Sequence, residues 1–169
     1  MQSVSPEEAL GRTSYWAAMI PDVRPERALI LGLGAGTVAA LLTRRFGRLP
    51  IEGVDLNPKI VEAGYQVCGL GNTDLTIHYE DAFDFVARAG GRYDYIAVDL
   101  YTGSELAQGV FSKPFLRRLK RLAGPRGVVA INIIRTRRFD RQMARLREVF
   151  AVVDTAEAGL NVVATCRAG

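Results

Sequence analysis

One histidine, His78, and two cysteines, Cys68 and Cys166, are the whole supply of imidazole and thiol groups in 169 residues. A single imidazole removes most zinc-site and Ser–His arguments at once, and no metal is assigned. The cysteines lie too far apart in sequence to be a disulfide framework or a metal cluster, and they are expected as small buried hydrophobes. No apolar run approaches the roughly 18 residues of a membrane span. The polar opening, Met1 to Arg12, lacks a charged-then-apolar leader pattern. A cytoplasmic protein without membrane contact is expected. Lysine is scarce too: Lys59, Lys113 and Lys120 are the only ones among 22 basic residues. No function is drawn from the arginine excess.

What is present is ordinary for a globular chain, with 49% hydrophobic and 24% charged residues. That composition excludes a disordered polymer. At roughly 100–200 residues per domain, the chain reads as one domain over 1–169, with a helical segment over 1–25 and a core over 26–169. The net charge of +4 is unevenly spread. Residues 106–150 carry twelve basic and two acidic side chains, so the remainder is acidic. Such asymmetry admits a nucleic-acid partner. The preferred reading is a solvated pair of helices whose basic side chains snorkel. Phe111, Phe115, Phe139 and Phe150 fall at apolar positions rather than as stacking platforms.

Short apolar runs alternate with helical periods. Ser5-Pro6 opens a helix expected to reach Met19. Strands are expected over 27–31, 50–54, 75–79, 93–98 and 128–134. Between them lie helices over 37–46, from Asn57-Pro58 to Cys68, over 82–88, and from Ser112 to Gly124. A last helix is expected over 136–150, followed by strands over 152–155 and 162–166. Their connection is too short for a parallel crossover, so these two are antiparallel. The fold class is therefore α/β: a Rossmann-like, doubly wound, mainly parallel seven-stranded sheet with an antiparallel last strand.

Gly32, Gly34 and Gly36 sit between the first strand and the next helix. Glycines there let a ligand approach the backbone, and the helix N-terminus favours a negative group. Asp55 ends the second strand, where a nucleotide's ribose hydroxyls bind in such sheets. Capping the next helix is its competing role. Asp81 follows the third strand and has two open readings, helix N-cap or adenine contact. Asp99 and Tyr101 follow the fourth. All stand at the carboxyl ends of strands, the ligand edge of a doubly wound sheet. The dinucleotide fingerprint Gly-x-Gly-x-x-Gly is not matched, since Thr37 holds its sixth position and the third glycine arrives early at Gly36.

The loop Leu31 to Thr37 instead resembles the S-adenosylmethionine (SAM) loop of class I methyltransferases, and the likeness runs from Arg27 to Arg167. The resemblance implies that Gly32, Gly34, Gly36, Asp55, Leu56, Asp81, Ala82 and Asp99 hold SAM. It resembles the spermidine synthase branch most in Tyr15-Trp16-Ala17-Ala18-Met19, Asp81-Ala82-Phe83-Asp84-Phe85, Tyr93 to Asp99, and Val110 to Phe115 before Gly127-Val128-Val129. Members of that branch transfer an aminopropyl group from decarboxylated SAM to putrescine. The resemblance makes Asp99 the base, with Tyr101 beside it and Tyr15, Trp16 and Thr102 toward the substrate. Four departures stand out. The acid two residues before the first loop glycine is Ile30. The acid inside the loop is Ala35. The second catalytic acid is Thr102. The polar pair after Tyr15 is Trp16-Ala17. The branch's N-terminal β-hairpin domain is also expected to be lacking, because little chain precedes the first strand. A diamine with about two positive charges needs carboxylates to replace its water. The expected function is thus a SAM-dependent methyltransferase acting on an unidentified small acceptor. Aminopropyl transfer and a non-catalytic nucleoside-binding module are the alternatives. An open pocket in so small a core also admits a homodimer.

Overall fold

The computed structural model describes residues 14–103 and 105–168. A seven-stranded sheet runs in the order β3-β2-β1-β4-β7-β9-β8. Its strands are β1 (Ala28–Leu31), β2 (Pro50–Val54), β3 (Asp74–His78), β4 (Tyr95–Val98), β7 (Val128–Ile134), β8 (Val152–Ala158) and β9 (Asn161–Arg167). β1 and β4 are buried along their whole length, as the continuously apolar Ala28-Leu29-Ile30-Leu31 and Tyr95-Ile96-Ala97-Val98 require of central parallel strands. The five strands from β3 to β7 pair in parallel. β9 then inserts antiparallel between β7 and the edge strand β8.

Helices cover both faces. The helices are α1 (Tyr15–Ala18), α2 (Thr37–Phe46), α3 (Pro58–Val67), α4 (Ala82–Arg88), α5 (Lys113–Ala123) and α6 (Phe139–Arg147). One core layer joins Phe85 of α4, Leu116 and Leu119 of α5, and Met143 and Leu146 of α6 to Ile96 and Val129. The other joins Val38 and Leu42 of α2 and Val61 of α3 to Ile30, Ala97, Ala130 and Val163, with Tyr15 and Trp16 packed on it. Local signals explain the helix starts. Asn57 accepts from the Lys59 and Ile60 amides, and Ser112 accepts from the Phe115 amide at 3.4 Å. The expected helix before Tyr15 lies outside the described residues.

Several elements depart from expectation, among them β4, which starts at Tyr95 rather than at 93, and α6, which ends at Arg147 rather than at 150. α6 starts at Phe139, because Thr136 turns the chain first, accepting the Arg138 amide on Oγ1 at 3.2 Å. β8 and β9 are longer than expected and meet at Gly159, whose φ of 64° suits the turn. A small hairpin of β5 (Tyr101–Thr102) and β6 (Glu105–Leu106) follows β4. Two-residue strands carry no periodicity to read.

Part of the basic stretch has structural work. Lys120 donates to the Val149 carbonyl at 2.9 Å and Arg118 to the Val86 carbonyl at 2.9 Å. Lys120 and Arg121 also occupy the last turn of α5, where cations complement the carbonyl end of a helix. Both cysteines are buried, and Cys68 Sγ lies 3.7 Å from the Thr37 hydroxyl. His78 pairs through Nε2 with Glu52 at 3.0 Å, so the lone imidazole is a structural partner. Among the described residues no helix is long and apolar enough to cross a membrane.

Candidate active site

A cleft of about 460 Å³ opens at the carboxyl ends of β1 to β4. That volume fits a nucleoside-sized ligand, and the position is the ligand edge of such sheets. Of the residues the sequence singled out, Gly32, Gly34, Asp55, Leu56, Asp81, Ala82, Asp99, Tyr101, Thr102 and Trp16 line it. Gly36 stands behind the wall and gives α2 its left-handed entry, with φ of 81° and no side-chain cap. Gly32 is packed against backbone: φ is 84°, and a Cβ there would overlap the Asp99 carbonyl. β1 and β4 therefore approach closely where the cleft floor forms.

The acids are held in different ways. Asp55 accepts the Gly34 amide at 2.7 Å through Oδ2 and the Asn57 amide at 2.9 Å through Oδ1. It ties the glycine loop to the turn after β2. A carboxylate oxygen accepts more than one hydrogen bond, so each keeps capacity toward a ligand hydroxyl. Asp81 caps α4 through Oδ1, taking the Phe83 amide at 2.7 Å and the Asp84 amide at 3.3 Å. Its capping role is thus realised, and it still borders the cleft.

Asp99 is the hub. Tyr15 donates its hydroxyl to Oδ2 at 3.1 Å, and Asn132 donates Nδ2 to Oδ1 at 2.8 Å. Burial pushes the Asp99 carboxyl above its ordinary range, while the hydrogen bonds from Asn132 and Tyr15 pull it back. Burial also raises Tyr15 far above an ordinary phenol, with Asp99's charge adding to it. Tyr15 reaches Asp99 from α1 with its ring 4.3 Å from that of Trp16. Tyr101, expected beside Asp99 as a catalytic residue, has its hydroxyl engaged on β7. The oxygen donates to the Asn132 carbonyl at 3.1 Å and accepts the Ile134 amide at 2.8 Å. Burial pushes this phenol up to about 12. Its ring lines the cleft while its oxygen fastens the hairpin to β7.

Sequence reasoning missed Asn132 and Asn161. Asn132 is fully buried in the apolar run Val128 to Ile134, where one polar residue was the available signal. Asn161 donates Nδ2 to Asn132 Oδ1 at 2.8 Å. It also missed Glu80, Ile60 and Phe83 as cleft walls. The charged lining residues are Asp55, Glu80, Asp81 and Asp99, with no Lys, Arg or His among those described.

The architecture is that of the Rossmann-like methyltransferases. Human methyltransferase-like protein 13 in complex with SAH matches it with a TM-score of 0.77, covering 97% of this chain and 79% of that one; at 23% identity this is a likeness of fold. Residues 17–136 match the family model of the spermine/spermidine synthase domain, and the chain belongs to that family. A polyamine aminopropyltransferase of Vibrio vulnificus is 30% identical over 141 residues, 79% of this chain and 46% of that protein. The human eEF1A lysine and N-terminal methyltransferase is 27% identical over 124 residues, 65% of this chain and 18% of that protein. The chain thus spans under half the length of these curated relatives.

Proposed function

We propose that the chain is a SAM-dependent transferase, with residues 26–169 as its cofactor-binding core, that methylates a small acceptor held against Asp99. The observation carrying this reading is the half-buried Asp99 carboxylate, held by two donors on the wall of a glycine-loop cleft. The residues present fit the cofactor. Asp55 sits ready for ribose hydroxyls and Asp81 for an exocyclic amine. The entry to α2, which no side chain caps, suits the cofactor's carboxylate. When bound, SAM would supply an electrophilic methyl carbon, to which an acceptor lone pair bonds as the C–S bond breaks and leaves its electron pair on sulfur. Asp99 then takes the proton the acceptor nitrogen or oxygen releases. Tyr15 and Asn132 hold Asp99 so that its free lone pairs face the cleft. Trp16 and the Tyr101 ring exclude water beside it.

Aminopropyl transfer from decarboxylated SAM is the second reading. Four carboxylates and, among the described residues, no cation around the cleft favour the more positive cofactor. Thr102, in place of a second acid, disfavours a diamine acceptor. Calorimetric titration with SAM, decarboxylated SAM and NAD in parallel separates these readings. Tighter binding of SAM is expected. Preference for the decarboxylated form would transfer the proposal to aminopropyl chemistry. Binding of NAD alone would overturn the reading of the loop, and binding without turnover in an acceptor screen would mark a non-catalytic module.

Asp81 offers a second check, because cap and ligand contact respond differently to substitution. Asp81→Ala is expected to cost about 1 kcal/mol of stability through the lost cap. Asp81→Ser keeps a capping oxygen and should restore stability. SAM affinity should fall in both variants. An affinity that returns with Ser would reduce Asp81 to a cap.

A further inference from the structure

The sheet register brings Asp99, Asn132 and Asn161 to one face. Val98 pairs with Ile131, so Asp99 follows alongside Asn132. Asn132 pairs with Val163, and Asn161 lies two residues away on the same strand, hence on the same side of the pleat. This is the face that α1 covers, so Tyr15 arrives from above. The hydrogen bonds have one direction. Asn161 Nδ2 donates to Asn132 Oδ1, and Asn132 Nδ2 donates to Asp99 Oδ1. An ionised carboxylate only accepts. Asn132 must therefore turn its NH₂ toward Asp99 and its carbonyl toward Asn161, which must in turn present NH₂.

We propose that Asn132 and Asn161 are positioning residues forming a one-way donor relay, through which the β8–β9 hairpin holds Asp99 as an oriented, ionised carboxylate. The inference deepens the transferase reading, since it concerns the same acid. Reversing the far end of the relay should reverse its near end. Aspartate at 161 has no hydrogen to give, so the Asn132 amide is drawn round to donate to it. The Asn132 carbonyl then faces Asp99, which must carry a proton to be satisfied. The other ionisable groups facing Asp99 are the phenols of Tyr15 and Tyr101 and of Tyr95 on its own strand. Burial holds all three neutral throughout the carboxylate range, with Asp99's charge raising them further.

The test is carboxyl-carbon NMR titration of the full chain, with the Asp99 signal assigned by its loss in Asp99→Asn. Asn161→Asp should raise the Asp99 midpoint by about one pH unit or more and turn the Asn132 side-chain NH₂ from Asp99 toward residue 161 in amide proton contacts, which the new carboxylate's charge by itself would not do. Asn161→Ala removes the partner without reversing it and should shift the midpoint much less. Asn132→Leu deletes the donor itself and should also raise it. Asn161 lies half-buried at a hairpin end, so its variants should fold even where Asn132→Leu does not. A midpoint in Asn161→Asp that superimposes on the wild type, equal shifts in Asn161→Asp and Asn161→Ala, or a raised midpoint with the Asn132 NH₂ still turned to Asp99 overturns the relay. The readout needs no turnover, so a shifted midpoint in a protein that transfers neither a methyl nor an aminopropyl group would sink the transferase reading and leave the relay standing.

Discussion

Asp99→Asn is expected to lower methyl transfer by about 10²–10⁴-fold, the range for removing a positioned acid or base. SAM affinity should change only a few-fold, because Asn keeps the shape of the cleft wall. Single-turnover rates and calorimetry on the same preparation check this. Equal losses in rate and affinity would make Asp99 a binding residue only. The stability effect should run the other way. Burial raises the Asp99 carboxyl in the folded state. Between the ordinary carboxylate range and that raised value, the native state binds more protons than the unfolded chain. The linkage relation then makes this group's contribution fall as pH rises, and the loss is complete above the folded value. Wild type should therefore lose stability relative to Asp99→Asn as pH climbs through that window. Thermal unfolding of both proteins across a pH series reads the sign. An ionised acid that costs stability yet is held by two donors is expected where chemistry, rather than folding, sets the residue.

Gly32→Val is expected to have the second largest effect. The residue holds φ of 84°, where a β-branched side chain is strained, and its Cβ would enter the Asp99 carbonyl. Relief requires β1 and β4 to separate at the floor of the cleft. A loss of about 2–4 kcal/mol follows from strain plus overlap, which for a chain of this size lowers the melting temperature by roughly 5–15 °C. SAM binding should vanish even at temperatures where the variant is folded. Gly34→Ala is the control. Gly34 also has positive φ, at 54°, but nothing lies within 4 Å of its added Cβ. Its stability loss should be smaller. Equal stability for the two variants would remove the close approach to Asp99 from the account.

Much of the site was legible because its signals are local. Strand, glycine loop and helix follow one another within a few residues, and the caps Asn57, Asp81 and Ser112 each act on amides two or three positions ahead. Placing Asp55, Asp81 and Asp99 at strand ends then needed only the α/β alternation. Other roles were illegible for equally definite reasons. Tyr101 looks like a cleft phenol in sequence, yet its oxygen is consumed by Asn132 and Ile134, 31 and 33 residues away. Asn132 interrupts an apolar strand without any sign of which face it takes.

The alternation of apolar runs, the glycine loop and the strand-end acids were settled by the sequence alone, since each depends on periodicity, capping or backbone conformation over a short stretch. Family membership of residues 17–136 was likewise written there. Only the tertiary structure decided what each polar group does. Tyr15 meets Asp99 across 84 positions, Asn132 meets it across 33, and Asn161 meets Asn132 across 29. Those meetings depend on strand order and on a register in which one residue's slip turns every side chain to the other face. A hydrogen bond is set within a few tenths of an ångström, and only the packed sheet holds distant residues to that tolerance.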